Sequence, residues 1–225
     1  MKIMNYEILN IKTGGAMKRN YFLLFAVYCL LISIIVCGCG GGGPGSPGSS
    51  GSEDTGIMVD ASVVGSYNGA ATNSVDAFRD QCGIPPNTTD EFFSYHQATV
   101  TFTARLINPN ATFQAWNLHI KKYTVIFIPS TDSIGAPPIE FDPIFETIHI
   151  PAPVGNGEVT VTTTLMLVDL TRKKQYAKDI LSGIYPPSDI NHYTATFTFE
   201  GVNDDGVKFT TEATMDFYIG NFNNC

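Results

Sequence analysis

Few residues in this sequence stand where chemistry is usually done. The four histidines, His96, His119, His149 and His192, fall on different predicted strands or at their ends, and no two share the close spacing by which one helix or hairpin gathers metal ligands. They read as ordinary strand residues. Asp90-Glu91, Glu140 with Asp142, and Asp204-Asp205 are the acidic groups that could offer oxygens to a hard cation, but none forms the Asp-x-Asp-x-Asp-Gly loop. Asp204-Asp205-Gly206 is better explained as a turn. The sequence has no Gly-x-Ser-x-Gly elbow, no phosphate-binding loop, no dinucleotide fingerprint in its strand-to-helix setting and no Cys-x-x-Cys-His. Nucleophilic, phosphate and haem chemistry therefore lack their usual local geometry. The expectation is no catalytic residue, no metal and no cofactor; an enzyme built on this chain would need a dispersed site in a deep pocket.

Cations are concentrated in one place. Residues 1–38 hold four of the 13 basic residues and one of the 21 acidic ones, leaving nine against twenty in residues 39–225. Four of those nine are Arg172, Lys173, Lys174 and Lys178. On so acidic a body such a patch makes a strong field contrast and could dock an acidic partner or lipid head groups. Its plainer reading is a solvated helix face. The overall acidity argues against nucleic acid, whose phosphates are held by clustered Lys and Arg.

The N-terminal region reads as an address. Tyr21–Val36 is an uncharged apolar run of sixteen residues, preceded by Lys18-Arg19 and followed by small residues, which is the order of a secretory signal. Sixteen residues fall short of the roughly 20 that span a hydrocarbon core. Val36-Cys37-Gly38-Cys39 resembles the lipobox of bacterial lipoproteins, in which an aliphatic residue, a small residue and Gly or Ala precede the cysteine that receives diacylglycerol; Cys37 departs from the usual small residue. The resemblance implies cleavage before Cys39, lipid on Cys39 and a membrane-anchored mature chain. Gly40 in place of Asp after that cysteine favours the outer membrane. Met17 opens MKRNYFLLF, a conventional signal start and an alternative beginning of translation.

The organisation expected is a signal at 1–38, a lipidated cysteine and leash at 39–55, and one domain at 56–225. Gly40–Thr55, GGGGPGSPGSSGSEDT, lacks large apolar residues and has the composition of a leash about 20–25 Å in root-mean-square span. Loss of the signal and lipidation of Cys39 leave Cys82 and Cys225 as the two thiols of the mature chain. Export favours their pairing, because paired thiols persist in oxidising compartments.

Beyond the leash, alternation with period two dominates. Val100, Phe102, Ala104 and Leu106 alternate with threonines and Arg105; Tyr193 to Phe199 and Phe209 to Ile219 repeat the pattern, as half-buried strands do. Ile57–Val64, Trp116–Ile128, Phe145–Ile150 and Val159–Val168 complete about seven strands, and Asn203–Gly206 predicts a hairpin turn. The fold predicted is mostly β, an immunoglobulin-like or fibronectin-III-like sandwich with one helix between late strands. Helical spacing of Tyr176, Ala177, Ile180 and Leu181 places that helix at Thr171–Ser182, with Gly183 as its stop. Thr72–Gln81 predicts a second, short helical turn with Val75 and Phe78 inward. Trp116 is expected in the core, as sandwich tryptophans commonly are.

Asn108-Pro109-Asn110, Tyr123-Thr124-Val125, the strand near Val159, the helix and the last hairpin together resemble, over Ala98–Gly220, the WHy or type 2 late-embryogenesis-abundant domain. That resemblance implies a non-catalytic sandwich associated with water stress. Trp116 and the insert at Pro137–Pro143 are not part of the pattern. The leading functional expectation is a membrane-anchored, non-catalytic lipoprotein whose sandwich contacts another envelope protein. The alternatives are a small-ligand or carbohydrate-binding module with Trp116, Tyr123 and Tyr218 as stacking surfaces, or a stress-protective domain.

Mass spectrometry of the mature N-terminus is expected to find lipid on Cys39, and Cys39→Ser to release the protein from the membrane fraction. An unlipidated native product, or unchanged fractionation of the variant, contradicts the reading.

Overall fold

The computed structural model describes residues 52–84, 86–110, 115–186 and 190–222. Among these described residues eleven strands and one α-helix follow in order: β1 Ile57–Tyr67, β2 Ala70–Ala71, β3 Ser74–Asp76, β4 Gln81–Ile84, β5 Asn87–Asp90, β6 His96–Leu106, β7 Leu118–Pro129, β8 Ile144–Ile150, β9 Glu158–Val168, α1 Leu170–Leu181, β10 Ile190–Asn203 and β11 Lys208–Gly220. The sheets run β2-β1-β6-β9 and β3-β11-β10-β7-β8, with β4-β5 as a separate ribbon. Of the seven long strands, the first, second and fifth thus form one layer and the seventh, sixth, third and fourth the other. This is the β-sandwich expected from the alternation.

The central strands β6 and β10 turn their apolar sets inward. Val100, Phe102 and Ala104 of β6 and Tyr193, Ala195, Phe197 and Phe199 of β10 are completely buried, while the threonines between them stay partly wet. Phe102 meets Phe199 edge-on across the layers, with ring centroids 4.9 Å apart, a favoured aromatic geometry. Two hydroxyls caught between the layers are satisfied there, as burial demands. The Thr211 hydroxyl donates to the Val59 carbonyl at 2.9 Å, and the Tyr123 hydroxyl accepts from the Met166 amide at 3.1 Å. Both bonds tie one sheet to the other.

Turn chemistry is local. Gly206 adopts φ +82° in the β10–β11 turn, the left-handed region that the Asp-Gly pair supplies. The helix opens on Asp169, whose carboxylate accepts from the Arg172 amide at 2.8 Å, and closes before Gly183 at φ +71°, an αL stop.

Three expectations are corrected. Thr72–Gln81 forms no helical turn: Ser74–Asp76 adds to β11 as a parallel edge strand. The Asp76 carboxylate then accepts from the amides of Phe78 and Phe222 at 3.3 and 3.1 Å. The inward placement of the two apolar residues does hold, since Val75 is buried and Phe78 packs on the core. Trp116 is 44% exposed rather than central, because Tyr123, Phe197, Phe199 and Phe102 already fill the middle. Ser52, expected to lie in a leash running to Thr55, is instead buried, and its hydroxyl oxygen accepts from the Val59 amide at 3.0 Å.

Gly201 sits at a bulge where β10 shifts register against β7. A β-carbon there would lie 2.5 Å from the His119 carbonyl oxygen and 2.6 Å from the Phe209 ring. Gly201→Ala is expected to destabilise the domain by about 1–3 kcal/mol, the usual cost of overpacking, read as a lowered urea midpoint. An unchanged midpoint would show that the two strands do not close as described.

Candidate functional site: a basic-rimmed groove over buried charge

The helix α1 lies over one end of the sandwich with two faces in different surroundings. Tyr176 and Lys173 point inward and are buried. Lys174, Ala177, Lys178 and Leu181 instead line an open groove of about 820 Å³, whose other wall includes Phe78 and Phe93, with Arg79 and Asp80 beside them. Leu181 is 78% exposed, an apolar side chain that the fold itself leaves uncovered.

Lys173 is the least expected member of this region. Its ammonium donates to the Ser94 carbonyl at 2.6 Å and lies 4.7 and 5.3 Å from the ring centroids of Phe93 and Tyr67, within cation–π range. Burial lowers its pKa to about 8, opposed by the negative charges of Asp76 and Glu91. Burial likewise pushes the Asp76 carboxyl up to about 6; the Glu91 charge adds to this, while the Phe222 and Phe78 amides and Lys173 work against it. His96 stacks on Tyr67 at 4.3 Å, and burial, helped by the Lys173 charge, brings its pKa down to about 3. A neutral imidazole, two carboxyls and one ammonium thus share the space beneath α1.

The structure separates the four cations that the sequence grouped. Arg172 turns to the 137–143 insert, where it donates to the Glu140 carbonyl and to Asp169 and lies 4.8 Å over the Phe141 ring. Lys173 goes inside, so the expectation of an exposed face holds only for Lys174 and Lys178. The inward turn follows from helix geometry, because Lys173 stands three positions before the core residue Tyr176 and shares its face. Sequence reasoning also missed Phe93 and Arg79 as walls of the groove. The one available signal was the run Glu91-Phe92-Phe93-Ser94-Tyr95, which is aromatic without alternating.

Other expected residues fall elsewhere. Cys82 lies on β4, while Cys225, the partner expected for it, and Cys39 lie outside the described residues. The three-aromatic platform does not assemble: Tyr123 is buried, Trp116 borders a second groove with Val154 and Asp204, and Tyr218 stacks on His192. Among the described residues no group of three or more His, Cys, Asp or Glu side chains is placed to hold a metal ion, and no helix is long and apolar enough to cross a membrane.

No family model matches the chain and no curated relative is found. Solved structures that it resembles include a Northeast Structural Genomics Consortium target, at 12% identity over 74% of this chain and 88% of that one with a TM-score of 0.27. Another is the putative ApaA protein from Bordetella pertussis, at 11% identity over 73% and 94% with a TM-score of 0.26. Likeness at that level says nothing of ligand or activity.

The buried imidazole makes a pH prediction with a definite sign. Between pH 6.5, its ordinary value, and about 3, the unfolded chain binds a proton at His96 that the folded chain refuses, so this group adds stability as pH rises through the window. Asp76 acts oppositely between 3.8 and about 6, because there the folded state holds the extra proton. Urea denaturation at pH 4, 5 and 6 is expected to show the wild type gaining stability with pH relative to His96→Phe. Parallel profiles would contradict a buried neutral His96.

Proposed function

We propose that this is an exported, lipid-anchored, non-catalytic sandwich domain that holds an acidic, amphipathic segment of an envelope partner in the groove along α1. The observation that carries the proposal is the pairing of Lys174 and Lys178 with an apolar wall. Both lysines line the groove and neither makes an ion pair among the described residues. Arg79, by contrast, is engaged by Asp90 at 2.6 Å.

Charge complementarity chooses the occupant. The body is strongly acidic, so a basic segment would be drawn to most of its surface, whereas an acidic one finds favourable potential at few places. Phe78, Phe93 and Leu181 ask in addition for apolar side chains, since exposed apolar surface rimmed by polar groups marks interaction sites. A volume of about 820 Å³ suits a few side chains of a short segment rather than a whole domain face. The N-terminal signal and the lipobox-like Val36–Cys39 supply the address: lipid on Cys39 holds the domain where envelope proteins are near. Pairing of Cys82 with Cys225 belongs to the same reading, because it requires an oxidising compartment.

The test uses defined peptides. A synthetic peptide alternating Leu with Glu is expected to bind the full chain, to weaken with added salt, and to weaken several-fold in Lys174→Glu/Lys178→Glu. The thermal midpoint of that variant should barely move, because exposed charges contribute little to folding. Equal binding of a Leu/Lys peptide, or undiminished binding by the variant, would reject the proposal.

A further inference from the structure

The strand register brings together two histidines that lie far apart in the sequence. His119 of β7 and His149 of β8 are direct cross-strand partners, with ring centroids 5.0 Å apart and planes tilted by 36°. On the other flank of His119 stands Asp204 of the β10–β11 turn, whose carboxylate oxygen is 2.6 Å from Nε2. Asp204 is itself held. Its second oxygen accepts from the Asn117 amide nitrogen at 2.9 Å, its backbone N–H donates to the Asn117 carbonyl at 3.0 Å, and the Asn117 side-chain oxygen accepts from the Ala152 amide at 3.0 Å. A chain of fixed polar groups therefore orients one imidazole, and a second faces it across the strand pair.

We propose that His119 and His149 form a binding site for a borderline divalent metal ion, of the copper or zinc class, with Asp204 orienting His119 from behind. A carboxylate accepts only from a protonated ring nitrogen, so in the neutral imidazole that binds a metal Nε2 carries the hydrogen and Nδ1 offers its lone pair. The two nitrogens of an imidazole point to nearly opposite flanks of the ring, so with Asp204 on one flank Nδ1 is left for the other. This is the carboxylate–histidine–metal arrangement, in which the outer carboxylate fixes the tautomer and strengthens the ligand. The separation also fits: metal–nitrogen bonds of about 2.0–2.1 Å at square or tetrahedral angles put two ring centroids about 4.5–5 Å apart.

The chemistry of the pair selects the ion. Imidazole nitrogen suits copper, zinc and nickel and does not suit magnesium or calcium. Two protein ligands leave the remaining positions to water, so the ion is exchangeable and the fold does not depend on it. His149 is exposed and His119 a quarter exposed, so the ion enters directly from solvent. The other two histidines are not so disposed: His96 is buried under α1, and His192 stacks on Tyr218 with Asp132 3.4 Å from its Nδ1.

Calorimetric titration of the full chain with copper chloride and zinc chloride is expected to give one site, tighter for copper, with magnesium chloride giving none. His149→Ala, a change at an exposed position, is expected to weaken copper binding tenfold or more, and Asp204→Asn by about 10–100-fold, as for an outer carboxylate. His192→Ala should bind as the wild type does. Electron paramagnetic resonance of the copper-loaded chain should show coupling to two imidazole nitrogens. Copper binding that survives His149→Ala, or a spectrum with one imidazole or none, would overturn the proposal.

Discussion

Each sheet has one face that water must not reach, and the two faces can be hidden only against each other. That constraint organises the rest of the molecule. Phe102, Phe197, Phe199, Phe217 and Tyr193 are fully buried at the junction, and side chains of this size contribute about 1.5–3 kcal/mol each on burial. Ordering the backbone costs about as much in total as such burial returns, so a mismatch of one residue in register, which would turn an apolar set outward, is not tolerated. The bulge at Gly201 and the cross-layer bonds from Thr211 and Tyr123 are the local adjustments that let two long, twisted layers meet.

The helix is where this rule is broken. An ammonium is among the costliest groups to bury, yet Lys173 is completely enclosed. Its carbonyl acceptor, the two aromatic faces and the nearby carboxyls of Asp76 and Glu91 offset that cost from three directions. The consequence is positional: with Lys173 and Tyr176 both fixed inward, the rotation of α1 about its axis is set, and Lys174 and Lys178 have only the groove to face. A function that depends on where two lysines point therefore rests on a third that is out of reach.

What the sequence made legible was whatever is encoded within about fifteen residues. The alternation in β6, β10 and β11, the Asn203–Gly206 turn, and the helix with its stop at Gly183 all arise from local pattern. Short elements were not legible: β3 has three residues, too few to show a period, and its inward Val75 and Phe78 mimic helical spacing. Trp116 misled because a general habit of sandwich tryptophans was applied to a core already full. The groove and the charge beneath it were illegible for a different reason. Asp76, Glu91, His96 and Lys173 span almost a hundred positions, and only the packing of a helix over one end of the sandwich brings them together. His119 and His149 were seen as separate strand residues because pairing register is a property of two strands, not of either one.

The placement of the groove relative to β1 bears on how the domain carries load. From Ile57, β1 runs antiparallel to β6 through ten successive pairs to Ser66, ~33 Å of strand at the usual rise. Tyr67 marks its far end, where its ring meets Phe92, His96 and the Lys173 ammonium. For a chain tethered on its N-terminal side and gripping something beside α1, tension enters at one end of β1 and leaves at the other. The ladder bonds lie across that line, so they are loaded together in shear instead of being peeled one by one. In such a molecule the first strand acts as a tie rod, and rupture requires many hydrogen bonds to fail at once.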